Sequence, residues 1–439
     1  MIGWLLNSAY LLLVAAVSPV LVGRAVRRGK YRRGWGEKLR GRLPRSAAKR
    51  RVVWLHAVSV GEVLQLRTIV PRLREARPDC DVLITTTTST GHAVARETYP
   101  DCRVSYFPLD FTWAVRAALA RVRPALVVLV ELELWPNFIR ETDAAGVPLV
   151  LINGRMSRRS YWGYRRIRRV MRPLLARFTA IAVQTDEYAA RLLDLGAPPE
   201  RLTVTGSVKF DGVRTDPGNT QTRMLRDAFG IRDDERVFIA GSTHDPEERI
   251  ALDAYLALRK EFEDLRLIIV PRHAERFDDV AAMVGSRGTG LVRRSECARD
   301  GGGVKRAPGR RPVCLLDTLG ELSACWGLAD VAFVGGSLTS RGGQNMIEPA
   351  GYGAAVIVGP NTHNFRDVVE GLQSCGAIAV INRPDELADA VRTLLRDRIA
   401  AHQQGAAGRA FVLAQQGAAD RTVRLITASL PEPSLARAA

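Results

Sequence analysis

From residue 52 onward the chain alternates two kinds of segment. Runs of Val, Ile and Leu at 52–56, 82–87, 104–108, 126–130, 149–152 and 181–183 are nearly continuous. Between them, at 62–77, 93–98, 113–121, 135–145 and 186–195, apolar positions recur at helical spacing. Short continuous apolar runs read as strands buried on both faces, and helices between them give βαβ units in a parallel sheet. The alternation pauses at 210–220 (FDGVRTDPGNT), rich in Gly, Pro and Asp, and then resumes. The second series lies at 237–240, 267–270, 313–316, 331–334, 355–358 and 377–380, with amphipathic stretches such as 247–262 and 386–395. The pattern predicts an α/β chain of two Rossmann-like, doubly wound domains, 52–211 and 212–428, facing a shared cleft. A tail follows at 429–439, and 293–311 (RRSECARDGGGVKRAPGRR) reads as a mobile surface loop.

The first 23 residues (MIGWLLNSAYLLLVAAVSPVLVG) carry no charge. As a helix they measure about 35 Å, enough to cross a bilayer core. Asn7, Ser8, Ser18 and Pro19 suit a shallower interfacial helix equally well. Either way 1–23 reads as a membrane anchor rather than a cleaved signal peptide, because no basic residue precedes the apolar run. A basic collar at 24–51 follows, with thirteen Lys or Arg and one acid, Glu37. Such a flank stays on the cytoplasmic side and attracts anionic headgroups.

Charge separates the halves. Residues 1–210 hold 35 Lys+Arg against 16 Asp+Glu, a net of +19, while 211–439 hold 29 against 30, a net of −1. The first half should meet an anionic partner, and the second need not. A second basic stretch at 155–177 has nine arginines and no acid, with Tyr161, Trp162 and Tyr164 among them. That suits a membrane interface; the bland alternatives are a solvated helix face or an RNA-binding surface. With 46% hydrophobic and 25% charged residues the chain is no disordered segment, coiled coil or polytopic membrane protein. The six cysteines form no CxxC pair and read as reduced thiols.

Open α/β sheets bind ligands beyond the carboxyl ends of their strands, and the polar clusters fall there. Ser59 and Glu62 follow the first strand with the spacing of a capping box, which needs no further function. A carboxylate beside Gly61 equally suits a general base. Glu131 and Glu133 close the fourth apolar run and share a face if the strand stays extended. Lys209 ends the first domain, as a linker lysine or as a hold on an anion. In the second domain the same edge carries His244, Arg272 with His273, and Asp317-Thr318-Leu319-Gly320-Glu321. Gly342-Gly343-Gln344-Asn345-Met346-Ile347-Glu348-Pro349 predicts a helix starting near Asn345, with N–H groups for a phosphate and Glu348 for ribose hydroxyls. Neither GxxxxGK[ST] nor GxGxxG occurs, and His244, His273 and His363 lie too far apart in sequence for a zinc motif. Asp79-Cys80-Asp81 precedes its strand and reads as a turn.

These segments make the chain resemble the bacterial 3-deoxy-D-manno-octulosonic acid (Kdo) transferases. The matching stretches are HAVSVGE at 56–62, ELELWPN at 131–137, VTGSVKFD at 204–211, PRHAERF at 271–277, FVGGSL at 333–338, 342–349 and GPNTHNF at 359–365. The resemblance implies an inverting, metal-independent, cofactor-free glycosyltransferase of the two-Rossmann (GT-B) type at the cytoplasmic face of the inner membrane. Its donor would be CMP-Kdo and its acceptor the lipid A precursor, with an anionic membrane surface as partner and no nucleic acid. It implies Glu62 as general base and Glu131 and Lys209 as transition-state stabilisers. CMP contacts would fall to Arg272, His273, Leu319, Gly320, Glu321, Asn345, Met346, Ile347 and Glu348. Gln344 stands where the family usually has His, and Met346-Ile347 where it has Pro-Leu. The competing readings are a GT-B enzyme for another nucleotide sugar, such as a UDP-hexosamine, and a basic RNA- or membrane-binding scaffold.

Overall fold

A computed structural model describes residues 34–45, 50–297 and 311–432, together with 3, 4, 6–8, 10–12, 14 and 16. The chain forms two compact units, 1–212 with 416–439, and 213–415. The first is built on β1 (Arg51–His56), β2 (Cys80–Thr86), β3 (Arg103–Tyr106), β4 (Leu126–Val130), β5 (Leu149–Gly154), β6 (Ala180–Val183) and β7 (Leu202–Val204). All pair parallel, in the order β3-β2-β1-β4-β5-β6-β7. Side chains alternate between two apolar layers. Val52, Trp54, Val127 and Leu129 enter one; Val53, Leu55, Leu126, Val128 and Val130 enter the other. A sheet with both faces dry explains the unbroken apolar runs.

The second unit repeats the plan with β8 (Arg236–Thr243), β9 (Leu265–Pro271), β10 (Leu291–Arg293), β11 (Val313–Leu315), β12 (Val331–Val334), β13 (Ala355–Val358) and β14 (Ile378–Val380). Their order is β10-β11-β9-β8-β12-β13-β14, again all parallel. Winding reverses between β1 and β4 in one sheet and between β8 and β12 in the other. Loops leaving those strands diverge to opposite faces, and the gap they leave is where such sheets take ligands.

Several expectations are corrected. The stretch 62–77 is two helices, Val60–Gln65 and Val70–Ala76. Pro71 opens the second, where a missing N–H costs nothing. β7 and β10 escape the apolar pattern because they are short edge strands with exposed or half-exposed side chains. Within 293–311, Arg293 ends β10 and Arg294–Glu296 forms a turn; 298–310 lie outside the described residues. The last helix, Ala418–Ala428, belongs to the first unit rather than to a domain ending at 428. Its Ala418, Ala419, Val423 and Ile426 seal the layer containing Val53 and Leu55, and Leu430 of the supposed tail joins them. Asp211 caps this helix by accepting the N–H groups of Gly417 and Ala419.

The described positions between 3 and 16 are helical, with an inverted surface. Asn7 is buried, bonding the Thr112 hydroxyl at 2.7 Å and the Asn137 amide at 3.2 Å, and Tyr10 donates to Asp110 at 2.9 Å. Trp4, Leu11, Leu12 and Val14 are exposed. Among the described residues no helix is long and apolar enough to cross a membrane. Residues 17–33, with much of the collar, lie outside them.

At the amino end of β9, Arg266 and Glu235 form an ion pair at 2.9 Å with both side chains fully buried. The guanidinium also donates to the carbonyls of Phe229 and Gly230 and to Cys314 Sγ. Removing one partner strands the other charge in the core. Glu235→Ala is therefore expected to cost about 3–5 kcal/mol in urea denaturation, whereas the double replacement Glu235→Leu with Arg266→Met costs far less.

Candidate active site and nucleotide-binding edge

In the first unit the candidate residues gather where winding reverses. β1 delivers the turn Ala57-Val58-Ser59, and Ser59 caps the helix Val60–Gln65 by accepting the Glu62 N–H at 3.3 Å. Glu62 folds back. One carboxylate oxygen accepts the Ser59 hydroxyl at 2.8 Å and the other the Val58 N–H at 2.7 Å. Ser59 thus fills its half of the capping box, while the Glu62 carboxylate takes the Val58 N–H and the Ser59 hydroxyl. Each oxygen still has one acceptor position, because a carboxylate offers about four in all. Burial raises the Glu62 pKa, the bonds from Ser59 and Val58 oppose it, and the charge of Glu131 adds to it.

β4 does not continue through its two glutamates. Glu131 turns left-handed, at φ 59°, so the period-two expectation for Glu131 and Glu133 fails. Glu131 accepts the Gln65 amide at 3.0 Å, whereas Glu133 accepts the Trp135 indole N–H at 2.8 Å. Glu133 is pushed up to about 7, first by burial and then by the charge of Glu62, with the indole opposing and Glu131 adding. Lys209 lies half-buried in the turn after β7, where Asn153 accepts the Val208 N–H at 3.4 Å.

Pattern reading missed the residues that hold this edge. Asp110 accepts the N–H groups of Asn137 and Phe138, at 3.0 and 2.7 Å, and so caps the helix Pro136–Ala144. Burial pushes its carboxyl up to about 6 against those bonds. Gln65 and Asn153 join Glu131 to the 205–209 turn. Asn153 had a signal, a lone polar residue closing the apolar run LVLI, as Glu131 closes its own. His56, fully buried, stacks on Phe107 at 3.6 Å and is held near pKa 3 by burial, so it stays neutral. Asp79 and Asp81 bind Arg77 and Arg50 at the amino edge; only Asp79 lies in a turn, since β2 already begins at Cys80, which corrects the expectation that all of 79–81 precedes the strand.

In the second unit the reversal point is filled from inside. Glu247, fully buried, accepts the N–H groups of His244 (2.9 Å), Gly336 (2.7 Å), Ser337 (3.1 Å) and Leu338 (2.9 Å). The glycine turn after β12 therefore spends these amides on its own carboxylate. Gly335 allows the close approach, since a Cβ there would lie 2.5 Å from the Ser242 carbonyl oxygen.

Around this turn, Arg272 and His273 leave β9 with exposed side chains, and the His244 and His273 rings meet edge-on at 5.2 Å. Burial lowers the His244 pKa, and His273, Arg341, Arg272 and Arg276 add to it. The Gln344 amide lies 3.3 Å from His244 Nε2; with the amide donating, the ring carries its proton on Nδ1. Leu319 is exposed beside Gly320 at φ 87°, while Glu321 is held by Thr318 and Arg294.

The expected helix starts at Ile347, two residues late, and runs only to Tyr352. Asn345 takes the Ile347 N–H at 3.1 Å and donates to Glu348 at 3.0 Å, so part of the expected phosphate site is already occupied. Met346 and Ile347 are buried, so their side chains are not open to a ligand. Burial raises the Glu348 pKa despite the Asn345 bond. Among the described residues no cluster of three or more His, Cys, Asp or Glu is placed to hold a metal ion.

Residues 32–212 match the family described as 3-deoxy-D-manno-octulosonic-acid transferase (kdotransferase). The chain is 33% identical over 381 residues to a 3-deoxy-D-manno-octulosonic acid transferase of Haemophilus influenzae, covering 85% of this chain and 86% of the relative. It is 35% identical over 383 residues to one of Bordetella pertussis, covering 84% and 86%. A solved UDP-GlcNAc 2-epimerase of Neisseria meningitidis, bound to UDP-GlcNAc, aligns with a TM-score of 0.57 over 86% of this chain and 100% of its own, at 12% identity, a likeness of fold alone.

The Glu133 shift has a measurable consequence. Between the ordinary glutamate value of about 4.3 and about 7, the folded chain keeps a proton that the unfolded chain has lost. Stability therefore falls as pH rises through that window. Glu133→Gln removes this contribution, so its urea midpoint should drop less than the wild-type midpoint between pH 5 and pH 8.

Proposed function

The chain belongs to the 3-deoxy-D-manno-octulosonic acid (Kdo) transferase family, a glycosyltransferase moving Kdo in lipopolysaccharide biosynthesis, and on that premise we propose the chemistry of each unit. The donor is CMP-Kdo, the acceptor is a hydroxyl of the lipid A precursor, and transfer inverts the anomeric centre without a metal. The observation carrying this reading is the trio of carboxylates, Glu62, Glu131 and Glu133, at the winding reversal of an otherwise apolar sheet. Glu62 takes the acceptor proton through a remaining lone pair, helped by the raised pKa that burial gives it. The freed oxygen pair forms the new bond to the anomeric carbon as the bond to the CMP phosphate oxygen breaks. CMP leaves as a phosphate monoester, and attack on the opposite face inverts the centre. Glu131 and Lys209 stabilise the charge that develops.

The second unit holds the nucleotide. Exposed Arg272 and His273 supply a cation and a planar donor for the phosphate. The backbone of Leu319, Gly320 and Glu321 and of Met346 and Ile347 borders the cytidine, and Asn345 and Glu348 address its ribose. Gln344 serves as a neutral donor to His244 in place of the usual imidazole.

The first unit rests on an anionic membrane surface, the cytoplasmic face of the inner membrane. Two features support this. The N-terminal helix turns Trp4, Leu11, Leu12 and Val14 outward. Exposed Trp162, Ile167 and Val170 lie among the exposed arginines of Arg158–Arg166 and Arg168–Leu175. Apolar side chains framed by cations suit a headgroup layer.

Purified protein should consume CMP-Kdo with the lipid A precursor and leave UDP-sugars untouched, with turnover unchanged by EDTA. Glu62→Gln should lower turnover at least about a hundredfold while calorimetry still detects CMP binding. Full wild-type turnover in that variant would remove Glu62 as the base. Deleting 1–23 should shift the protein out of the membrane fraction yet spare turnover on detergent-dispersed acceptor.

A further inference from the structure

We propose that Gln65 and Asn153 are positioning residues that set Glu131 and the Lys209-bearing turn in one fixed arrangement. The proposal rests on the Kdo-transfer reading and adds two residues that reading does not use. Asn153 is fully buried near the end of β5. Its Nδ2 donates to Gln65 Oε1 at 2.6 Å, and Gln65 Nε2 donates to Glu131 Oε1 at 3.0 Å. At the other end, Asn153 Oδ1 accepts the Val208 N–H at 3.4 Å, one residue before Lys209. The Asn153 carbonyl accepts the Gln184 amide at 2.9 Å, which ties β6 to the same point.

The chemistry at the two ends fixes the direction of this chain. A backbone N–H can only donate and an ionised carboxylate can only accept. Asn153 must therefore turn its oxygen to Val208, Gln65 must turn its oxygen to Asn153, and the last N–H must point at Glu131. Neither amide can flip without setting donor against donor. The backbone is specialised at the same place. Glu131 and Asn153, ending the adjacent strands β4 and β5, both take left-handed conformations, at φ 59° and 52°. Asn adopts that region readily and Glu does not, so the conformation at Glu131 persists only where its surroundings hold it. The Gln65 amide and the bond from Glu131 N–H to the Ile152 carbonyl, at 2.9 Å, do the holding.

Three variants test the proposal: Gln65→Met, which keeps volume but cannot bridge; Asn153→Gly, which keeps the left-handed backbone but loses the side chain; and the two combined. Each single change should lower kcat for Kdo transfer at least tenfold, with KM for CMP-Kdo within twofold of wild type. The double variant should fall within twofold of the poorer single, because both changes cut one chain of bonds. Gln65→Glu adds a signature that plain loss of packing does not give. Its activity relative to wild type should climb as pH falls, since a protonated Glu at 65 regains a donor toward Glu131. Single variants within twofold of wild-type kcat, losses that multiply, a loss confined to KM for CMP-Kdo, or a pH-independent ratio for Gln65→Glu would each overturn it. Wild-type protein that leaves CMP-Kdo unconsumed overturns the transfer reading and this proposal with it. Active wild type beside unaffected variants overturns this proposal alone.

Discussion

A parallel strand that is buried on both faces has no place for a polar side chain except its end. In this chain β4 is five apolar residues followed by Glu131, and β5 passes through four before reaching Asn153. That constraint gathers polar chemistry into one row along the carboxyl edge of each sheet. It also makes the row costly to hold where groups such as Glu62 and Asn153 are taken out of water. The left-handed residues Glu131, Asn153 and Ser242 stand where a strand must stop abruptly and hand its side chain to the edge.

Carboxylates, two of them buried (Asp110 and Glu247), do most of the holding. Asp110 and Asp211 cap helices, Asp330 takes the Val237 N–H, and Glu247 gathers three amides of a glycine turn with that of His244. At Asp110 and Glu247, backbone N–H groups replace the water the charge has lost, as burial of an ionised group demands. Glu62 belongs chemically to this class, which is why its cap and its proposed proton transfer are compatible. The bonds from Ser59 and Val58 fix the carboxylate without exhausting it.

Much of this was legible in the sequence because it is written in side-chain type and spacing. Unbroken apolar runs gave twelve of the fourteen strands among the described residues, and the two that escaped are edge strands whose exposed or half-exposed residues carry no such pattern. The spacing of Ser59 and Glu62 announced the Ser59 helix cap. What remained hidden depends on contacts between distant segments. Nothing around Gln65 hints that it meets Asn153 from 88 residues away, and nothing near Glu247 announces amides some 90 residues on. The Glu131–Glu133 expectation failed because a left-handed backbone at a glutamate has no local signature. The last helix was misassigned because an amphipathic helix shows which face it buries and not against what.

That last helix has a consequence for how the protein comes into being. Ala418–Ala428 leaves the ribosome after the whole of the second unit, yet it covers a layer of the first unit's sheet. The earlier-made half thus waits, one apolar layer incompletely covered, while some 200 residues of the other are synthesised and folded. A chain cut at the boundary near 212 would be no independent half-enzyme. Only a splice rejoining 1–212 to 416–439 would give that half its missing lid.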